Sequence, residues 1–292
     1  MSSVELLAPR VATGPVAASS PQVVVPRRPG VLTRGGRAVR TTAWRVLKPS
    51  LAIGLFLLLW ELAPRLGLVD KVFLPPFSVV AGAFGGLAAS GELWNHASAS
   101  LSRALTGFAI AIVIAIPLGV AIAWYRPVAE FVNPILELLR NTAALALLPV
   151  FVLVLGIGET SKVALVIYAS TFPILLNTIS GVRTVDPLLV KSALSLGLTP
   201  IRLFQKVILP AAVPTIFTGV RMAAASSILV LIAAEMVGAK AGLGYLITAS
   251  QYNFQIPKMY AGIVAISLLG LVFNGIIVLA ERRLSRWRVS PI

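Results

Sequence analysis

The segment Arg183–Pro214 reads RTVDPLLVKSALSLGLTPIRLFQKVILPAAVP and joins two long apolar runs. Asp186–Pro187 is typical of a helix start, because the aspartate side chain caps orphan backbone N–H groups and proline suits the first helical position. Gly197 predicts a left-handed C-terminal cap, and Thr199–Pro200 repeats the start signal. We therefore expect a helix, a tight glycine turn and a second helix that ends at Leu209–Pro210.

This helix pair is more apolar than a solvated loop. Two short helices cannot bury that many apolar side chains in water, so the pair either folds back on the inner ends of its own spans or docks to another protein. Ala193 and Gly197 lie one turn apart, so that face would allow a partner to approach closely. A merely structural amphipathic loop is the alternative that these residues leave open. The apolar positions are Leu188, Leu189, Leu194, Leu196, Ile201, Leu203, Phe204, Val207 and Ile208.

The rest of the chain is typical of a membrane protein. Of 292 residues, 58% are hydrophobic and only 12% are charged, too few charges for the surface of a soluble domain of this length. The apolar residues form runs long enough to cross about 30 Å of hydrocarbon as helices. We predict an all-α polytopic fold with about six spans, of which the third is short, begins near Asn133–Pro134 and runs tilted. The six runs are Leu51–Leu68, Ala104–Trp124, Thr142–Gly156, Val163–Gly181, Thr215–Val237 and Met259–Ala280.

Lysine and arginine are distributed asymmetrically between the two sides of these runs. With the amino terminus in the cytoplasm, 19 of the 25 basic residues fall on the inner side and 6 on the outer side. Positive charge concentrates on the cytoplasmic side of membrane proteins. We therefore predict that both termini are cytoplasmic. The first outer connection carries a further mildly apolar stretch, Phe77–Leu87, which we interpret as a short helix at the interface.

The chain divides into two predicted regions and lacks several kinds of site. Residues 1–45 are rich in Pro, Gly, Ser and Arg and are expected to be a disordered basic cytoplasmic tail held near anionic lipid, whereas residues 46–292 form the transmembrane domain with the cytoplasmic loop 183–214. The net charge of +15 does not indicate nucleic acid, since no aromatic residues interleave with the basic ones. There is no cysteine, which excludes disulfides and Cys-based metal sites. No G-x-x-x-x-G-K-[ST] phosphate loop occurs, so this chain carries no ATPase site of that kind.

The loop 183–214 resembles the EAA motif of binding-protein-dependent ABC importer permeases. That motif is E-A-A, three residues, G, nine residues and I-x-L-P; all spacings match here, with Lys191, Ser192 and Val207 in place of Glu, Ala and Ile. The matching positions are Ala193, Gly197, Leu209 and Pro210. Stretches such as FLPPFSVVAGAF and GVRMAAASSILVLIAAEMVGAKAGLGYLI resemble the subfamily that imports alkanesulfonates, taurine, nitrate or bicarbonate.

The resemblance implies an assembly in the bacterial inner membrane. The helix pair, with Lys191, Ser192, Ala193, Gly197, Val207, Leu209 and Pro210, would couple the permease to two separate ATP-binding subunits. ATP and Mg²⁺ would be bound by those subunits and no cofactor by this chain. A second permease copy, as a homodimer, would complete the pathway, and an extracytoplasmic solute-binding protein would deliver a small anionic solute.

A few polar residues inside the apolar runs are candidates for a pathway or gate. Glu235 near the outer end of the fifth run forms part of an outer gate or snorkels to the interface beside Lys240, and the residues do not decide between these. Small polar side chains in spans either line a pathway or support helix packing; here they are Asn177, Thr178, Ser226 and Ser227. His96 is interpreted as a surface side chain, and Glu137 with Arg140 as a local ion pair.

Three other functional classes are weighed against the importer. A secondary transporter would show intramembrane charges and an internal repeat, and neither is evident in the sequence. A membrane-embedded enzyme would need a cluster of His, Asp or Glu within the spans, and the lone Glu235 does not supply one. A non-transport scaffold is compatible with any polytopic chain, but it would not depend on coupling to an ATPase.

Overall fold

The computed structural model describes residues 32–284, with side chains for residues 48 and 50–283. All of the regular secondary structure in the described residues is helical. The helices are α1 Leu32–Arg65, α2 Phe77–Ala89, α3 Glu92–Trp124, α4 Arg126–Arg140, α5 Leu148–Leu155, α6 Glu159–Arg183, α7 Pro187–Ser195, α8 Pro200–Leu203, α9 Leu209–Glu235, α10 Leu243–Tyr252 and α11 Ile256–Leu284, with a 3₁₀ turn at Ala144–Leu147 and a π turn at Phe204–Ile208.

The chain divides within α1 into one compact unit up to Phe56 and a second from Leu57 onward. The predicted basic tail, residues 1–45, lies mostly outside the described residues. Its last part, from Leu32, lies within α1, and the expectation of a disordered tail stays a prediction. Helix α1 includes Pro49, directly before the first apolar run; a proline at this position removes one backbone donor from the helix.

Four helices among the described residues are long and apolar enough to cross a membrane: Glu92–Trp124, Glu159–Arg183, Pro200–Glu235 and Ile256–Arg283. They correspond to the second, fourth, fifth and sixth predicted runs. The third run differs from the prediction of one tilted helix. The chain bends by 87° between Arg126–Arg140 and Ala144–Leu155, so this part is not one continuous helix.

The second helix of the predicted pair does not end at Leu209–Pro210. Helix α8 runs through the π turn directly into α9, giving one helical stretch from Pro200 to Glu235. A proline inside a helix removes one backbone donor and crowds the preceding turn, and the wider π turn before Pro210 relieves that crowding. The inner helix pair is therefore continuous with a span, and a movement of one must move the other.

Helix α6 is packed between α3 and α9 by glycines that let the backbones approach. A Cβ on Gly219 of α9 would lie 2.5 Å from Asn177 Cβ and 2.6 Å from the Pro173 carbonyl oxygen, and one on Gly119 of α3 would lie 2.8 Å from Thr178 Cβ. Small residues at such crossings are typical of helix packing in membranes. Helices α3, α6 and α9 therefore form the rigid centre that positions the loops at both ends.

Helix α2 confirms the short helix predicted in the first outer connection. It buries Val80 and Leu87 in a cluster with Leu243 and Leu246 of α10 and Ala261 of α11. Its N-terminus is held by Glu61 of α1, whose carboxylate accepts the Ser78 N–H at 2.8 Å. This helix is thus part of the outer end of the folded chain.

Candidate functional site

The inner helix pair begins and turns as the sequence predicts. The Asp186 carboxylate accepts the Leu188 N–H at 2.8 Å and caps α7. Gly197 has φ +75°, and around it the Leu198 N–H donates to Ala193 O at 3.2 Å and the Gly197 N–H to Leu194 O at 2.9 Å. This is the Schellman motif, in which glycine at the left-handed position satisfies the last carbonyls of a helix.

One face of the inner helix pair packs against the membrane-spanning helices. Ala193 is 5% exposed, and Leu203 and Ile208 are likewise buried in the main core cluster. The Trp124 ring at the end of α3 packs edge-on against Phe204, with centroids 5.3 Å apart. The expectation that Ala193 offers a close approach to a partner is therefore wrong, because its side chain faces the protein's own core.

The opposite face is apolar and uncovered. Five large side chains are exposed along α7, the glycine turn and α8, and nothing in the described residues covers them. Lys191, Ser192 and Gly197 are exposed beside them, whereas Val207, Leu209 and Pro210 are half-buried. The five are Leu188, Leu189, Leu194, Leu196 and Ile201, with exposed fractions between 51% and 80%. A patch of this kind, which we call the inner docking face, is a typical mark of a protein interaction site.

A second polar site lies at the opposite end of the same helices, which is predicted to face outward, around Arg103 of α3. Its guanidinium forms a two-pronged ion pair with Glu159 at the start of α6, with Nη2 to Oε1 at 2.7 Å. It also donates through Nη1 to Glu235 of α9 at 2.6 Å and to the Ala241 carbonyl oxygen at 2.7 Å. Arg103 is 6% exposed and Glu235 is fully buried. These charges connect three spans. Removing one partner of a buried ion pair strongly destabilises the folded protein, because the other charge is left buried and unpaired.

The same cluster caps the N-terminus of α10. The first backbone donors of a helix have no partner within it, and here each of three successive N–H groups has a side-chain acceptor from α3 or α9. The pairs are Gly242 to His96 Nδ1 at 3.1 Å, Leu243 to Ser100 Oγ at 2.8 Å and Gly244 to Glu235 Oε2 at 3.0 Å. Ser100 in turn donates to the Glu235 carboxylate at 2.8 Å. We call Arg103, Glu159, Glu235, Ser100 and His96 the outer cluster.

Glycine is required where α10 meets this cluster. A Cβ on Gly242, which has φ +127°, would collide with the Glu235 carboxylate, and one on Gly244 would collide with the Ile232 carbonyl oxygen. The stretch GAKAGLG leads into α10, and its last two glycines are required by this close approach. This spacing is the signal in the sequence that could have indicated the cap.

The structure separates the five predicted pathway or gate residues. Thr178 and Ser227 are fully buried and donate within their own helices, to Ile174 O at 2.7 Å and Ala224 O at 2.8 Å. They support packing and contact no open surface in this conformation. Asn177 and Ser226 are half-buried beside an uncovered stripe of α9, and their pathway role stays a prediction.

Glu235 and His96 have different surroundings from those expected. Glu235 does not snorkel towards Lys240 but is buried in the outer cluster. Its role in an outer gate stays a prediction. His96 is a cap acceptor, half-buried and 5.8 Å from the Tyr245 ring, rather than a plain surface side chain. The Glu137–Arg140 ion pair is confirmed at 2.8 Å, and within the described residues no group of His, Cys, Asp and Glu is arranged to hold a metal.

Comparison with known proteins now identifies the family. Residues 111–286, from the middle of α3 through the inner docking face to α11, match the model of the binding-protein-dependent transport system inner membrane component. The chain belongs to this family. The predicted resemblance to ABC importer permeases is thereby confirmed.

Several curated permeases are similar over most of their length. The SsuC aliphatic sulfonates transport permease protein of Escherichia coli is 38% identical over 78% of this chain and 87% of its own. The TauC taurine transport permease of the same organism is 33% identical over 82% and 90%. The RibX riboflavin transport permease of Chloroflexus aurantiacus is 31% identical over 87% and 95%.

Solved structures show the same fold. A chain of the MetNI methionine ABC transporter in an inward-facing conformation superposes with a TM-score of 0.54 at 19% identity, covering 64% of this chain and 93% of that one. A chain of an amino acid ABC transporter with histidines gives 0.51 at 22% identity, with 68% and 98% covered. This permease therefore has the multi-pass fold of ABC importer membrane subunits.

Proposed function

We propose that this permease is the membrane subunit of an ATP-driven importer for a small anionic solute. The observation that carries the proposal is the inner docking face, a rigidly capped helix pair with five exposed large apolar side chains that is continuous with the span α9. A groove on a separate ATPase subunit would cover this face. Closure of two such subunits on ATP would then be transmitted directly into α9.

The proposal includes the arrangement in the membrane and the partners. Six spans with both termini in the cytoplasm of a bacterial inner membrane agree with the charge asymmetry of the loops, with the basic tail at residues 1–45 and the permease domain at 46–292. A second identical copy would complete the pathway, and an extracytoplasmic binding protein would supply the solute. ATP and Mg²⁺ would bind only to the ATPase subunits. The anionic solute is inferred from the sulfonate and taurine permeases that this chain resembles.

Transport requires that the solute interact differently with the two access states, because a ligand with equal affinity for both states does not change their populations. The outer cluster joins α3, α6 and α9 at one end, and the inner docking face joins them to the ATPase at the other. Rotation of these three helices as one body would open one end of the translocation pathway while closing its other end. The bent segment at residues 126–155 and the helix α11 would carry the change in packing.

Co-purification with the ATPase encoded beside this permease tests the docking. Leu196 is 80% exposed and Leu188 is 70% exposed, so Leu196→Glu and Leu188→Glu alter the surface without opening the core. We expect both variants to stay monodisperse in detergent and to lose the ATPase. Leu68→Glu is the matched control, since Leu68 is 74% exposed and lies just after α1, away from the inner docking face. Equal retention of the ATPase by all three variants would contradict the docking role.

One observation favours ion-gradient-driven transport instead, namely the buried carboxylate of Glu235. However, its oxygens already accept hydrogen bonds from Ser100, Arg103 and Gly244, which leaves little capacity for a transported cation. Uptake into proteoliposomes that contain the permease, the ATPase and ATP separates the two functions. The importer predicts uptake that is insensitive to a protonophore and abolished by removing ATP.

A further inference from the structure

Helix α9 has one uncovered stripe along its length. Thr218, Met222, Ala225 and Leu229 are all exposed, and their spacing of four, three and four residues places them on one helical face. The remaining faces of α9 pack on α3, α6, α10 and α11. We call these four residues the α9 stripe. Within the described chain nothing covers it.

A charged pair borders the α9 stripe on the side of α11. Arg221 has a side chain 46% exposed and forms an ion pair with Glu281, which is 24% exposed. Arg221 precedes Glu235, at the outer end of α9, by 14 positions, or about 21 Å of helix. Since the hydrocarbon core is about 30 Å thick and Glu281 directly follows the sixth apolar run, Arg221 lies near the inner boundary of the span.

An arginine at this depth does not favour a face turned to lipid. Charged side chains within spans are costly and face the bundle interior or a water-filled cavity. A face with Arg221 at its edge and Thr218 along it is therefore better suited to water or to a second protein surface. Leu229 and Met222 provide apolar contact along the same face.

An amide borders the α9 stripe on the side of α6. Asn177 Nδ2 donates to the Pro173 carbonyl oxygen at 2.8 Å and lies 4.0 Å from Met222 Sδ. The close packing at Gly219 holds the Asn177 side chain against α9. One N–H of this amide is engaged by Pro173, and the second has only a weak sulfur acceptor. Its orientation beside Met222 leaves that donor available to a solute oxygen.

We propose that Arg221 selects anionic solutes in the pathway along the α9 stripe, with Glu281 as its counter-ion when no solute is present. This inference rests on the importer function proposed above and adds the residue that meets the charge of the solute. A guanidinium offers a planar set of donors that fits the oxygens of a sulfonate or carboxylate. An anion that passes Met222 would compete with Glu281 for Arg221. Because Glu281 competes for Arg221, it weakens the binding of the anion and allows the anion to be released.

The absence of cysteine from this chain makes a direct electrostatic test possible. In Met222→Cys, reconstituted in nanodiscs, the single thiol is treated with two methanethiosulfonate reagents, one carrying an ethylsulfonate and one a trimethylammonium group. The measurement is the ratio of their second-order rate constants. A nearby cation accelerates the anionic reagent and slows the cationic one. We expect Arg221→Gln to lower the anion-to-cation ratio by about fivefold or more, from the Coulomb energy of one unit charge within about 8 Å at intermediate dielectric.

Three further variants keep the test interpretable. Arg221→Lys preserves the charge and should preserve the ratio, whereas Glu281→Gln frees Arg221 from its counter-ion and should raise it. If Arg221→Gln alone does not fold, the double variant with Glu281→Gln keeps the local charge neutral and should also lower the ratio. Leu229→Cys, two turns further out, should respond less to Arg221→Gln than Met222→Cys does.

Two results would overturn the inference. A thiol at Met222 that reacts with neither charged reagent would mean that the α9 stripe faces lipid or a dry contact. A ratio that is unchanged in Arg221→Gln would mean that Arg221 does not act on anions at this position. Both results are distinguishable from failure of the importer proposal, because ATPase binding at the inner docking face is measured separately on the same preparations.

Discussion

Replacing Glu235 by glutamine tests whether the outer cluster holds the spans together. Glu235 is fully buried and receives hydrogen bonds from Arg103, Ser100 and Gly244. A glutamine can still accept the Gly244 N–H through its carbonyl oxygen. Its NH₂ group then takes the place of Oε1 and faces Arg103 Nη1, so two donors meet where a carboxylate oxygen stood. The variant therefore removes the charge while leaving the volume and one cap interaction in place.

The magnitude follows from the burial of the pair. Removing one partner of a buried ion pair costs about 3–5 kcal/mol of unfolding free energy, because the other charge is left buried and uncompensated. Glu159 remains beside Arg103 and is itself 66% exposed, so it compensates only part of the loss and the lower end of this range applies. For a domain of about 250 residues, each kcal/mol corresponds to about 2–4 °C in Tm. We expect Glu235→Gln to lower the Tm by about 10 °C.

The assay is thermal unfolding of the purified permease in one detergent, followed by intrinsic fluorescence and by monodispersity after heating. Glu130→Gln is the matched control, since the Glu130–Arg126 pair is exposed by 68% and 91% and such pairs contribute about 0–1 kcal/mol. The double variant Arg103→Gln/Glu235→Gln should lose less than the sum of the two single losses, because the charges interact. A Tm for Glu235→Gln within about 2 °C of that of Glu130→Gln would refute the reasoning.

Three further predictions follow from single contacts. Gly219→Ala should destabilise the permease by about 1–3 kcal/mol through overpacking against α6, whereas Gly270→Ala, with nothing within 4 Å of its added Cβ, should not; parallel melts compare them. His96→Leu should lose about 1 kcal/mol because the Gly242 N–H is left without its acceptor, and His96→Asn, which offers an oxygen, should recover part of it in the same assay. Asp186→Ala should lose the cap of α7 and about 0.5–2 kcal/mol, and titration with the ATPase should show weaker binding although no residue of the inner docking face has changed.

The inner helix pair could be predicted from the sequence because its signals are local. A cap at Asp186, a glycine at position 197 and a proline at position 200 act on the backbone within one helical turn. Four of the six apolar runs could be predicted in the same way, since length and composition decide whether a helix can span a membrane. The same local reasoning was wrong at Leu209–Pro210, where the chain continues through a π turn because the packing of Ile208 and the following helix favours continuity.

The outer cluster could not be predicted in this way. Arg103, Glu159 and Glu235 are separated by at least 56 positions, and in the sequence Arg103 is one basic residue of an outer loop. Only the crossing of α3, α6 and α9 brings the three charges together. The candidate pathway hydroxyls show the same limit: Ser226 and Ser227 are neighbours in α9, yet Ser227 is fully buried and Ser226 is half-buried because they lie on different faces of the helix.

The sequence by itself therefore determined the class of the protein, its helices and the family to which it belongs, because hydrophobic length, caps and motif spacing are properties of neighbouring residues. Tertiary structure alone decided which side chains are buried, which charges meet and which face of α9 stays uncovered. These outcomes depend on how helices that are distant in the chain cross, and the energy of a charge such as Arg103 or Arg221 is set by the partners found there.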